Sequence, residues 1–187
     1  TLKPVAVFDR PDGKYILDMG QNMVGWLSVN LKGKKGKPVS MKFAELLQKD
    51  GSLYLANLRT AQVTDIYTPA EDGDFSWQPR FVYHGFRFVE VSGLDYKPEL
   101  SAFTGHVIYD EMETTGRFET SNPLVNQIHK NSYWGIRSNY RGMPTDCPQR
   151  DERLGWLGDR ATGAYGEAFI FNNAQLYNKW LQDIEDS

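Results

Sequence analysis

At 187 residues, 40% of them hydrophobic and 13% aromatic, the chain is long enough for one large domain or two small ones and apolar enough to fill a packed core. Its 24 acidic and 21 basic side chains are spread along the sequence to a formal charge of −3, so it has no basic footprint for a phosphate backbone, and nucleic acid is not an expected partner. It has no run of about 18 apolar residues for a membrane span, Thr1-Leu2-Lys3-Pro4 has no signal-peptide character, and Cys147, the single cysteine, cannot form an internal disulfide; the compartment, cytoplasmic or exported, stays open.

The first part of the chain is strand-like. Leu27, Val29 and Leu31 alternate with Ser28, Asn30 and Lys32, and Val39, Met41 and Phe43 alternate with Ser40, Lys42 and Ala44, the period-two pattern of a half-buried strand. The two runs are expected to pair. Their link, Gly33-Lys34-Lys35-Gly36-Lys37-Pro38, has turn residues, and its lysines read as a solvated loop tip. Further strands are expected within Val63–Thr68, Phe75–Pro79, Phe81–Ser92 and Phe103–Tyr109, separated by segments such as Glu71-Asp72-Gly73-Asp74. Many short strands with frequent turns favour a β-sandwich.

Near residue 118 the pattern becomes helical. Ser121-Asn122-Pro123 supplies a side-chain cap and a first-turn proline, and Leu124, Val125, Ile128, Ile136 and Tyr140 recur on one face, predicting a helix over about 122–140 that Met143-Pro144 breaks. A polar loop runs to about Asp159. Arg160–Ile170 is expected to form a second helix, weakened by its glycines but able to pack closely through Ala161, Gly163, Ala164, Gly166 and Ala168. Ala174–Asp186 is expected to form a third. Strands followed by helices predict two domains, 1–118 and 119–187. Without an initiator Met, and with a helical pattern still running at Leu181–Ser187, both ends look internal to a longer protein.

The chemistry is concentrated between the first two helices. Residues 144–159 contain four carboxylates (Asp146, Asp151, Glu152, Asp159), two arginines (Arg150, Arg153) and the indole of Trp156. Carboxylates accept from sugar hydroxyls, an indole packs on the C–H face of a pyranose, and a protonated carboxyl can donate to a leaving oxygen. A charged loop with internal ion pairs and an anchoring Trp would have the same composition.

The order of residues is more specific. Asp146-Cys147-Pro148-Gln149-Arg150-Asp151-Glu152-Arg153-Leu154-Gly155-Trp156, continued by Gly158-Asp159, closely resembles the signature of bacterial α-L-rhamnosidases. Asp18-Met19-Gly20-Gln21-Asn22 with Gly25-Trp26, and Phe81-Val82-Tyr83-His84-Gly85-Phe86-Arg87, are similar to the β-domain that precedes the catalytic domain in that family. The resemblance implies a β-sandwich followed by the first helices of an (α/α)6 barrel. It also implies Glu152 as general acid, and Asp146, Arg150, Trp156 and Asp159 as residues lining the rhamnose subsite. The substrate class it implies is a rhamnose-containing glycoside or saccharide. Hydrolysis would proceed with inversion, an acid protonating the glycosidic oxygen while a base roughly 6.5–9.5 Å away activates water. In the family that base is a glutamate further along the barrel, so neither Glu167 nor Glu185 is assigned the role.

Asp151 and Arg153 read as structural loop residues, and Cys147, with no base beside it, as a packed marker of the motif. His84, His106 and His129 have no paired ligand spacing, and the carboxylates lack the alternation and glycine of a calcium loop, so no metal or cofactor is indicated, calcium elsewhere being left open. The competing reading is a noncatalytic carbohydrate-binding or structural module presenting Trp26, Trp77 and Trp134, with the charged loop as scaffold. A Glu152 in a pocket beside Trp156 favours the hydrolase; a solvent-exposed ion pair favours the module.

Overall fold

A computed structural model describes residues 1–187, which divide into two compact units: Thr1–Ile108 with Gln149–Asp151, and Tyr109–Pro148 with Glu152–Ser187.

The first unit is a β domain. Its strands are β1 (Ala6–Asp9), β2 (Tyr15–Gly33), β3 (Val39–Ala44), β4 (Leu46–Leu47), β5 (Leu53–Tyr54), β6 (Thr64–Tyr67), β7 (Gly73–Trp77), β8 (His84–Ser92) and β9 (Phe103–Val107). Seven form one antiparallel sheet in the order β1-β2-β8-β3-β6, with β7 and β9 also on β2, and β4 and β5 form a small ribbon. The 19-residue β2 organises the sheet. Its first half pairs with β1 and β8, a register shift falls between Asp18 and Met23, and its second half pairs with β8, β9 and β7. The shift bends the strand, as bulges do, and the ring of Tyr67 on β6 meets Phe75 and Trp77 on β7.

The alternation expected for Leu27–Leu31 and Val39–Phe43 is present, with Leu27, Val29, Met41 and Phe43 fully buried. The expected direct pairing is not. β8 lies between β2 and β3, with Tyr15 opposite Val91 on one side and Ser40 opposite Ser92 on the other. Phe86, Val89 and Val91 are completely buried, and an apolar strand of this kind lowers the free energy most in a central position, where both edges are hydrogen-bonded. The lysine-bearing link is exposed as expected. It is nevertheless anchored, Gly36 N–H donating to Pro69 O and Lys35 N–H to Asp72 Oδ1.

The second unit carries α1 (Pro123–Ser138), α2 (Leu157–Glu167) and α3 (Ala174–Glu185). Asn122 caps α1 by accepting from Leu124 N–H at 3.0 Å, with Pro123 in the first turn. The helix ends two residues before Tyr140 because Tyr140 turns inward, fully buried, and donates its hydroxyl to Glu167. The second helix begins and ends three residues earlier than expected. Arg160 N–H already bonds Trp156 O in its first turn, and Ile170 and Phe171 both donate their N–H groups to Glu167 O as the chain leaves it. Tyr140, Ile170, Phe171 and Leu176 make the core of this unit.

Candidate active site

The motif loop is closed by a reciprocal pair. Asp146 N–H donates to Leu154 O at 2.9 Å, and Leu154 N–H donates to Asp146 Oδ1 at 2.7 Å. Thr145, just before it, is buried and donates both N–H (2.7 Å) and Oγ1 (3.0 Å) to Asn139 O, tying the loop to the end of α1. Arg153, with φ 52°, turns the chain between Glu152 and Leu154. Gly155 lies against Trp180, where a Cβ would come within 2.9 Å of the indole. Only glycine leaves room there.

Asp146, Cys147, Glu152 and Trp156 come together within this frame. Half-buried Glu152 accepts from the Trp156 indole N–H, Nε1 to Oε1 3.2 Å. Buried Cys147 donates its thiol to Asp146 Oδ2 at 3.2 Å. Burial pushes the Asp146 carboxyl up, but the hydrogen bonds from Cys147 and Leu154 N–H, its own backbone and a side-chain hydrogen bond with Glu152 outweigh that effect and hold it below the usual carboxylate range. Trp156 sits at the N-cap of α2 and is 47% exposed, so much of its ring faces solvent. Asp159 is exposed in the first turn of α2, where its charge complements the helix N-terminus.

Arg150 and Asp151 belong with the β domain. The absence of a side chain at Gly85 makes this packing close, since a Cβ there would stand 2.7 Å from Gln149 Cβ. Half-buried Arg150 lies in the same segment. Asp151 Oδ2 accepts from the Oγ1 and backbone N–H of Thr60, and these bonds draw its carboxyl below the usual range. Its structural role is thus a hydrogen bond to a residue 91 positions away.

Behind the loop lies a group of residues that sequence reasoning missed. Glu167 is 6% exposed and accepts at Oε1 from Arg160 Nη1 (2.6 Å) and at Oε2 from Tyr177 (2.9 Å) and Tyr140. Burial and the Glu167 hydrogen bond push the Tyr177 phenol up to about 12 and that of Tyr140 higher still, so both remain donors. The other guanidinium arm of Arg160, Nη2, donates to Thr145 O at 2.8 Å. The seven-residue spacing of Arg160 and Glu167 along one helix face was the available signal, but nothing local announces the two tyrosines.

One ligand-type atom each from Asp146, Cys147 and Glu152 lie within 4.8 Å of one another. A thiol and two carboxyls do not match the roughly six to eight oxygens that calcium takes. The histidines pack structurally: His84 is buried against Asp65 Oδ1 (2.9 Å) and Phe43, His106 stacks on Trp26, and His129 meets Phe118. Each of the three tryptophans of the competing module reading packs against a neighbouring side chain. Trp26 and Trp77 are half-buried against His106 and Tyr67, and Trp134, in the other unit, lies under the Arg137 guanidinium at 4.1 Å.

Comparison with known proteins bears on the whole chain. Residues 8–109 match the family described as bacterial alpha-L-rhamnosidase concanavalin-like domain, and residues 113–187 match the bacterial alpha-L-rhamnosidase 6 hairpin glycosidase domain. A curated alpha-L-rhamnosidase of Streptomyces avermitilis is 44% identical over 175 residues, 94% of this chain and 17% of the relative. The solved alpha-L-rhamnosidase from Dictyoglumus thermophilum superimposes with a TM-score of 0.95 at 41% identity, over 99% of this chain and 21% of that one. That of Streptomyces avermitilis complexed with L-rhamnose also gives 0.95, at 42% identity, over 100% of this chain and 18% of that one. The chain thus spans about a fifth of the length of the relatives it matches.

Proposed function

Because the chain belongs to the bacterial α-L-rhamnosidases, we propose that it carries the acid half of a glycoside hydrolase site that cleaves terminal α-L-rhamnosides with inversion, Glu152 being the general acid. The observation that carries this reading is the Trp156–Glu152–Asp146 constellation. Glu152 stands half-buried beside a partly exposed indole, and the neighbouring Asp146 is held in its charged form. A carboxyl hydrogen-bonded beside an open aromatic face is placed to reach the glycosidic oxygen of a sugar packed there, which is the geometric requirement on a general acid.

In the proposed mechanism the rhamnose ring lies on the open face of Trp156, while Asp146, Arg150 and Asp159 accept from or donate to its hydroxyls. Glu152 gives its proton to the glycosidic oxygen as the C–O bond breaks, and a water activated by a second carboxylate attacks the opposite face. Glu167 does not supply that base, since both of its carboxylate oxygens already accept hydrogen bonds: Oε1 takes Arg160 and Oε2 takes both tyrosines. We assign the base to a part of the enzyme outside these 187 residues. The L-rhamnose held by the Streptomyces avermitilis relative supports rhamnose as the sugar recognised.

The test is the anomer first released by a full-length enzyme carrying this segment, followed by NMR before mutarotation. Initial β-L-rhamnose from an α-L-rhamnoside agrees with inversion; initial α-L-rhamnose would overturn it and require a nucleophile.

A further inference from the structure

Arg160 lies on the first helix after the motif and is hydrogen-bonded to none of the three carboxylates proposed for the site, Asp146, Glu152 and Asp159, yet it reaches the peptide group that carries one of them. Its Nη2 donates to Thr145 O, and the N–H of that same peptide, belonging to Asp146, donates to Leu154 O. The Thr145–Asp146 peptide plane is therefore fixed at both its oxygen and its nitrogen. Asp146 in turn receives Leu154 N–H on Oδ1 and shares a side-chain hydrogen bond with Glu152. The guanidinium is itself fixed, since Nη1 donates to Glu167 Oε1, and Glu167 is held by the Tyr140 and Tyr177 hydroxyls.

We propose that Arg160 is a positioning residue for the general acid: anchored on buried Glu167, it locks the Thr145–Asp146 peptide and thereby holds the Asp146 carboxylate against Glu152. The proposal rests on the reading of Glu152 given above. Two features distinguish this role from simple stabilisation of the helical core. The fork spans two acceptors that a lysine ammonium, a compact point charge, cannot match in the same geometry. One of those acceptors is main chain, at the residue immediately before Asp146, so the grip ends in the site.

The experiment is made in a full-length enzyme carrying this segment, with two α-L-rhamnosides, one with a poor alkoxide leaving group and one with a nitrophenolate that needs little protonation. Arg160→Lys keeps a cation beside Glu167 but loses the grip on Thr145. It should lower kcat on the alkyl rhamnoside on the order of 10²-fold, the cost of roughly 1 Å of misplacement. The loss on the nitrophenyl substrate should be several times smaller, with KM little changed on either. Tyr177→Phe removes one donor to Glu167 and leaves Arg160–Thr145 intact; it should lower the melting temperature without altering the ratio of the two rates. Should Arg160→Lys fail to fold, the double variant Arg160→Met/Glu167→Met removes both buried charges together, an exchange that ion-paired cores tolerate, and should show the same leaving-group signature. A folded Arg160 variant with an unchanged ratio, or Tyr177→Phe shifting the ratio equally, would overturn the proposal. Glu152→Gln separates the two claims. If it produces the leaving-group effect and Arg160→Lys does not, the positioning role fails while the general acid stands; if Glu152→Gln itself shows none, the underlying reading fails.

Discussion

The indole N–H of Trp156 donates to Glu152 Oε1 at 3.2 Å, so the residue proposed to stack on the sugar also orients the residue proposed to protonate its glycosidic oxygen. These two functions separate by substitution. Trp156→Phe keeps an aromatic face and loses the N–H, whereas Trp156→Ala loses both. In the full-length enzyme Trp156→Ala should weaken rhamnose binding by about 1–3 kcal/mol, the usual worth of a stacking ring, while Trp156→Phe should retain most of the affinity and lose turnover. Calorimetric titration with rhamnose alongside thermal melts decides the matter: a large fall in melting temperature with unchanged affinity would make Trp156 a core residue.

Arg87 clasps Asp18 through parallel bonds, Nε to Oδ1 and Nη2 to Oδ2, both 2.8 Å, joining the two β-domain stretches that resemble the family. The Arg87 hydrogen bonds and Gly20 N–H outweigh burial and hold the Asp18 carboxyl below the usual carboxylate range. A depressed folded-state value contributes stability that is complete above the unfolded value and is lost as pH falls through the folded one. Asp18→Asn should therefore cost about 1–2 kcal/mol at neutral pH, less than a fully buried pair because the Arg87 side chain is 42% exposed. The gap from the unsubstituted protein should close as pH drops below that value. Urea melts at neutral and acid pH read this directly, and a gap that stays constant with pH would remove the ion pair from the account.

Expressed by itself, the 187-residue chain should not hydrolyse rhamnosides, because an inverting site needs acid and base together. Exposed Leu124, Ile128, Tyr165 and Leu181 leave apolar helix faces open, so the helical unit should exchange amide protons faster than the β domain or associate with itself. A rhamnoside assay with hydrogen exchange on the purified chain checks both points. Turnover by the monomer would place the base within these residues, and strong protection throughout 120–187 would show that the helices are stable as they stand.

The strands whose residues alternate with period two, and the helices marked by Asn122-Pro123 or by apolar spacing, were legible in the sequence because their cause is local. Sheet order was not. The β2 and β3 patterns are equally satisfied by pairing with each other or with β8, and only the competition for the central position decides. Element ends depended on tertiary bonds, as Tyr140 leaves α1 to reach Glu167. At the site, the motif named Glu152, Asp146 and Trp156, which the fold brings together, but Arg160 and Glu167 fell in a glycine-rich helix with no motif to mark them. Thr60, which holds Asp151, lies 91 residues away and could not have been read from the loop.

The general-acid role of Glu152 is the claim on which the account turns, and the most direct measurement of it is kcat of Glu152→Gln in the full-length enzyme on two rhamnosides that differ in leaving group. Glutamine preserves an oxygen for the Trp156 N–H and removes only the transferable proton. Turnover of an alkyl or sugar-linked rhamnoside should fall roughly 10²–10⁴-fold with rhamnose affinity nearly unchanged, while nitrophenyl rhamnoside should lose far less. Equal losses on the two substrates would contradict the assignment and take Glu152 out of the proton-transfer step.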